Sequence, residues 1–177
     1  MQTTIREDHR VKVTQHNGRI IKEFKPNYKF KNPDHQLWMH TLNGFSDRHG
    51  HFPRIFECNE DTLITAIAPG HALHDGHIWV QQDTLEKKIR LLQRLQVTYF
   101  QFITNVLRHN ITYGTHIAHH DLNSSNMFFD DDRMTCIDLN SVTTHLPCEY
   151  YWIEYGAKEF GKRSAMLGRG RYNSTHR

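Results

Sequence analysis

Residues 119–140 read His-His-Asp-Leu-Asn-Ser-Ser-Asn-Met-Phe-Phe-Asp-Asp-Asp-Arg-Met-Thr-Cys-Ile-Asp-Leu-Asn. This stretch is the most informative in the chain. Met127-Phe128-Phe129 is apolar and short, as a buried strand is, and Met134 to Ile137 reads as a second strand. Asp130-Asp131-Asp132 is a turn cluster, since short carboxylate side chains bond nearby backbone. A hairpin of this kind folds Asp138 back beside Asn126. Two oxygen donors far apart in sequence then share one place, with the Asp121 carboxylate at the head of the same loop.

Such a set suits chemistry in which a protein mainly positions groups and neutralises charge. Phosphoryl transfer is the plainest case. One carboxylate accepts or orients the proton of an attacking hydroxyl, and Asp121 can fill that role. Hard oxygen ligands hold Mg²⁺ against phosphates, and Asn126 with Asp138 can fill that one. The competing reading is an ordinary turn, because an isolated Asp-Leu-Asn-Ser-Ser-Asn is more often that. The joint match of His119, Asp121, Leu122, Asn126 and Asp138, with strand-like residues in the gaps, favours a site.

The remaining chain supplies a scaffold. Residues 3–7 and 11–15 alternate weakly, as strands do. Asn17-Gly18 is a hairpin turn signal, and Arg19 to Phe24 is the next strand. The segment 1–25 therefore reads as a small antiparallel sheet. Residues 34–42 read as a helix with Asp34 as N-cap and Leu37, Trp38 and Leu42 on one face. Residues 43–53 read as a Gly- and His-rich loop, and 54–58 and 62–68 as strands. Pro69-Gly70 breaks the chain. Residues 84–109 form the clearest helix, with Thr84 preceding an apolar stripe through Leu92, Leu95, Tyr99, Phe102 and Ile103. Tyr150 to Phe160 reads as a short amphipathic helix. The end, 162–177, is a basic, Gly-rich tail.

The net charge is +3 with His neutral, too small to point to nucleic acid. No apolar run approaches the roughly 18–20 residues of a bilayer span. The first residues lack an apolar signal segment, so a cytoplasmic location is expected. Cys58, Cys136 and Cys148 form no metal-type pair and leave one over if two bridge, which fits a reducing compartment. Histidine is frequent, at 15. His49-Gly-His51 and His71-x-x-His74-x-x-His77 have ligand-like spacing without a Cys partner or a His-Glu-x-x-His. Solvated or locally bonded histidines are the expectation, and His119 is expected to brace its loop through a backbone bond.

The order is small sheet, helix, two strands, Pro-Gly break, long helix, His-x-Asp-Leu-x-x-x-Asn, hairpin, Asp. Across most of residues 10–140 this resembles the protein kinase-like superfamily, although its specific motifs sit only in 119–138. His-x-Asp-Leu-Asn-x-x-Asn-Met with Ile-Asp-Leu-Asn resembles compact prokaryotic and atypical kinases more than ordinary eukaryotic ones. Lipopolysaccharide-core sugar kinases, aminoglycoside-phosphotransferase-like proteins and RIO-like kinases carry similar loops. The resemblance implies an α+β, minimal bilobal fold. Residues 1–68 would be an N-lobe-like antiparallel sheet with one helix, 69–161 a truncated, mainly helical C-lobe, and 162–177 the tail. It implies ATP and Mg²⁺ as cofactors and a protein or sugar hydroxyl as acceptor. Lys22, in Arg19-Ile20-Ile21-Lys22, matches the strand lysine that pairs the α- and β-phosphates. Backbone groups around Ala66 to Ala68 would bond the adenine. Asp121 matches the catalytic base, Asn126 the second metal ligand and Asp138 the metal aspartate.

Several residues depart from the pattern. No Gly-x-Gly-x-x-Gly lies upstream of Lys22, where Gly18 is the only glycine, so the phosphate cover is missing or built differently. His120 stands where the loop arginine falls, and Asp138-Leu139-Asn140 replaces Asp-Phe-Gly. Asp34 is the positional candidate for an acid to pair Lys22. These departures favour a second expectation, an inactive pseudokinase that binds a protein partner or a second copy. A third, a metal-dependent hydrolase on His116, His119, His120 and Asp121, needs a helix where a strand-like run follows.

Overall fold

The computed structural model describes residues 2–32, 34–74, 77–130 and 132–144. The helix expected at Tyr150–Phe160 and the tail at 162–177 lie outside the described residues. The architecture is mixed α+β. Five antiparallel strands form one sheet in the order β1-β2-β3-β5-β4: β1 Gln2–Glu7, β2 Val11–His16, β3 Arg19–Phe24, β4 Ile55–Cys58 and β5 Thr62–Ala66. Helix α1, His35–His49, joins β3 to β4. Beyond β5 come β6 His71–Ala72, the short α2 His77–Val80 and the long α3 Leu85–Tyr113. Strands β7 Ala118–His119, β8 Met127–Asp130, β9 Arg133–Cys136 and β10 Val142–Thr143 follow. They form a three-stranded sheet β6-β8-β9 and a two-stranded pair β7-β10.

The turn chemistry explains where the elements stop. Asn17 and Gly18 both take positive φ, as a tight two-residue hairpin requires, and set the β2–β3 register at His16 against Arg19. Asp34 caps α1 by accepting from the Leu37 N–H, so it is a helix cap rather than a partner for Lys22. Thr84 caps α3 in the same way through the Lys87 N–H.

Helix α1 runs through the segment expected to be loop. Phe45 continues the face begun by Trp38 and Leu42, and all three are buried. Burying a phenylalanine gains about 2–3 kcal/mol, whereas a glycine in mid-helix, here Gly44, costs about 1 kcal/mol. Burial wins, and the stop moves to Gly50, which takes the left-handed conformation and donates to the Ser46 carbonyl. Helix α3 likewise passes residue 109 to end at Gly114.

One apolar core runs through the molecule, from Phe30, Trp38 and Leu63 on the sheet side to Leu95, Phe102, Met127 and Met134 on the other. Trp38 also donates its indole N–H to the Val142 carbonyl at 2.8 Å, tying α1 to β10. Cys58 and Cys136 are free and buried, and burial pushes the Cys58 thiol up to about 12.

Several histidines belong to this core. His51 is fixed in its neutral form, donating from Nδ1 to the Met134 carbonyl at 2.8 Å and accepting at Nε2 from Asn105 at 3.0 Å. His109 packs edge-on to Phe45, and its Nδ1 is buried without a hydrogen-bond partner. Burial, with the His49 and Arg48 charges alongside, lowers its pKa to about 4. The unfolded chain therefore binds a proton near pH 6.5 that the folded chain refuses until about pH 4. Stability should fall as pH drops through that window. We expect the urea midpoint to decrease between pH 7 and pH 5, and to decrease less in His109→Phe. Equal decreases in the two proteins would assign the acid sensitivity elsewhere.

Candidate functional site

The loop expected to carry chemistry is held by backbone bonds rather than by apolar packing alone. Strand β8 pairs with β9 from Met127 against Cys136 to Asp130 against Arg133. Just beyond the hairpin, the Ile137 N–H donates to the Asn126 carbonyl at 2.8 Å. That bond sets Asn126 beside the residue preceding Asp138. His119 is buried and neutral, and fastens the other side. Its Nε2–H donates to the Ile137 carbonyl at 2.7 Å, and its Nδ1 accepts the Asp121 N–H at 3.2 Å. Burial keeps its pKa low despite the nearby carboxylates. The expected bracing role of His119 is thus what the structure contains.

Asp121 is exposed at the mouth of the loop. Asn126 Nδ2 donates to its carbonyl at 2.8 Å and to its Oδ2 at 3.3 Å, and Asn123 Nδ2 donates to its Oδ1 at 3.2 Å. With its amide nitrogen so engaged, Asn126 keeps Oδ1 as the atom able to meet a cation.

Asp138 takes positive φ, one of only two non-glycine residues to do so among the described residues. Aspartate tolerates that conformation better than most residues, yet the backbone must be held there by its surroundings. The Ser141 N–H donates to the Asp138 carbonyl at 3.0 Å, and Ser141 Oγ reaches its Oδ2 at 3.3 Å. Across the molecule, Lys22 in β3 donates to Asp138 Oδ1 and, at 2.9 Å, to Asn140 Oδ1. Burial alone would raise the Asp138 carboxyl. The Lys22 ammonium overrides it and holds the group below the usual carboxylate range. Lys22 therefore finds its acid in the loop, not in α1.

These side chains face one cavity of 610 Å³ between the five-stranded sheet and the β8–β9 loops. Lys22, Asp121, Asn126 and Asp138 all line it. Ala66 and Ala68 do not. The Ala66 N–H is already used, donating to the Arg54 carbonyl at 2.8 Å.

Sequence reasoning missed Asn140, Arg6 and Arg10 as cavity residues. Asn140 left a signal, as the polar residue standing where a glycine was expected. The arginines left a weaker one, a pair of cations flanking the turn before Lys22. A bulge between Thr4 and Arg6 re-aims β1, so that the neighbours Ile5 and Arg6 both reach the cavity. Asp8 organises the turn, accepting from the Arg10 and Val11 N–H groups at 2.7 and 3.0 Å and from Arg6 Nε at 2.8 Å. Those bonds, the backbone ones foremost, hold its carboxyl down at about 2.

Among the described residues, no group of three or more His, Cys, Asp or Glu is placed to hold a metal ion. Mg²⁺ asks less, since it commonly takes one or two protein oxygens and completes its shell with water and substrate phosphate. The Asn126 and Asp138 oxygens fit that demand. No helix among the described residues is long and apolar enough to cross a membrane. No protein-family model matches the chain, and no curated protein sequence matches it.

Proposed function

We propose that this chain is a cytoplasmic, ATP- and Mg²⁺-dependent phosphotransferase of minimal, kinase-like bilobal form, acting on a protein or sugar hydroxyl. The observation that carries the reading is the meeting of Lys22 with Asp138, 116 residues apart, in the cavity that Asp121 and Asn126 also line. A sheet lysine, a loop carboxylate, an amide oxygen and an exposed second carboxylate are the parts phosphoryl transfer needs.

Bound Mg²⁺ would supply charge neutralisation on the phosphates, with Asp138 and Asn126 as its protein oxygens. Lys22 would then exchange Asp138 for a phosphate oxygen. Asp121, free of any ion pair among the described residues, would orient the acceptor hydroxyl and take its proton. The adenine would lie within the same cavity, against residues other than Ala66 and Ala68, neither of which lines it.

The partner-binding pseudokinase reading draws on a different observation. Val97, Phe100 and Ile111 are 67%, 55% and 85% exposed and share one face of α3. A protein partner or a second copy would cover them.

The thermal shift on adding MgATP tests the nucleotide site that the phosphotransferase reading requires, and turnover then separates it from a pseudokinase that binds without transfer. Ligand at about 100 times its dissociation constant adds roughly 2.7 kcal/mol, a rise of several degrees. The expected result is a Mg²⁺-dependent rise in the wild type and none in Asp138→Ala. No rise in the wild type at millimolar MgATP would remove the phosphotransferase reading and leave the partner-binding one.

A further inference from the structure

The turn between β1 and β2 brings Arg10 to the cavity and precedes Lys22, where a glycine-rich phosphate cover would fall. It contains no glycine, and its residues are Asp8, His9 and Arg10. Three cations line the cavity: Arg6, Arg10 and Lys22. Two of them are matched. Arg6 forks onto Asp8, and Lys22 meets Asp138. Arg10 forms no ion pair among the described residues. Its Nε donates to the His9 ring at 3.2 Å, its guanidinium lies 5.9 Å from the Tyr28 ring centroid, and its remaining N–H groups have no acceptor there. Tyr28 also lines the cavity, so this contact keeps the guanidinium beside a cavity residue.

A flexible exposed arginine is ordinarily solvated. Here the backbone beneath it is fixed, because the Arg10 N–H is bonded to the Asp8 carboxylate and its carbonyl accepts the Lys25 N–H at 2.9 Å. A planar fork of N–H donors lining the same cavity as the Lys22 ammonium matches the oxygens of a polyphosphate. Backbone amides of a glycine loop would serve the same oxygens without adding charge, whereas an arginine adds a full positive charge.

We propose that Arg10 is this chain's phosphate clamp, binding the polyphosphate of a nucleoside triphosphate alongside Lys22 in place of a glycine-rich cover. The clamp deepens the phosphotransferase reading and rests on it for the nucleotide, though not for the anion. It makes the site selective for the number of phosphates, so triphosphate binds better than monophosphate.

The test titrates wild type, Arg10→Ala, Arg10→Lys and Lys12→Ala with MgATP and with inorganic tripolyphosphate, following heat of binding. Lys12→Ala removes the same charge from the same strand pair at a residue that does not line the cavity. Loss of charge-assisted hydrogen bonds predicts roughly tenfold or more weaker binding of both probes by Arg10→Ala, with partial recovery in Arg10→Lys. Lys12→Ala is expected to bind like the wild type. Equal binding by Arg10→Ala and wild type overturns the clamp while leaving the nucleotide site standing, and so do equal losses in Arg10→Ala and Lys12→Ala. Arg10-dependent binding of tripolyphosphate without binding of MgATP keeps the anion clamp and removes the nucleotide reading. A wild type that binds neither probe removes both.

Discussion

Replacing Asp121 with alanine should abolish phosphate transfer and leave the nucleotide bound. The carboxylate is exposed, lines the cavity, and is held only by amide donors, Asn123 and Asn126. It contributes no apolar burial, so its removal leaves the core intact. A positioned general base is typically worth about 10²–10⁴-fold in rate, and turnover should fall by that factor. MgATP affinity should change by less than about threefold, since Lys22, Asp138 and Asn126 carry the phosphate and metal contacts in this reading. Release of labelled phosphate from ATP to water provides a basal readout that needs no acceptor. Wild-type turnover by Asp121→Ala would sink the assignment of the base. Tight binding of MgATP by a wild type that never turns over would instead select the pseudokinase.

The loop was readable because its physics is local. Asp121, Asn126 and Asp138 are spaced by two short strands and a turn, and those elements announce themselves in Met127-Phe128-Phe129, in the acidic cluster and in Met134 to Ile137. Hairpin closure then brings the ends together without help from the rest of the chain. The Asn17-Gly18 turn and the Asp34 cap were legible for the same reason. Long-range choices were not. Nothing around Lys22 says that its acid lies at Asp138, because two different sheets must first be stacked by a shared core. The extension of α1 to His49 depended on Phe45 finding a buried site against α3 and β4. Local composition, rich in Gly and His, argued the other way and lost to burial. The cavity role of Arg10 required the β1 bulge, the Asp8 turn and the Tyr28 stack together, none of which has a strong sequence signal.

Gly70→Ala should cost far more stability than its position in a loop suggests. Gly70 takes φ +82°, and a Cβ there would stand 2.1 Å from the Phe129 carbonyl oxygen and 2.5 Å from its carbon. Both atoms belong to backbone, so no side chain can swing aside. Gly114 is the natural comparison, with φ +62° and open space where the Cβ would go. Its alanine variant should lose only the left-handed strain, about 1 kcal/mol. Gly70→Ala adds the overlap with β8, a further 1–3 kcal/mol or so. At about 2–4 °C per kcal/mol for a chain of this size, its melting temperature should fall by roughly 5–15 °C. The consequence reaches the site. Immediately after Gly70, β6 pairs His71 with Phe129 and Ala72 with Phe128, and the Leu73 N–H donates to the Met127 carbonyl at 2.8 Å. That ladder presses β8 into place, and β8 begins at the residue after Asn126. If the surviving fold relaxes by pushing β8 outward, Asn126 leaves Asp138, and MgATP binding weakens along with stability. Equal melting losses for Gly70→Ala and Gly114→Ala would mean that the close approach carries no energy. Normal MgATP affinity in a destabilised Gly70→Ala would mean that β8 and the cavity are independent. The joint loss is expected because one short backbone contact both ends the five-stranded sheet's exit and seats the strand from which the candidate site is built.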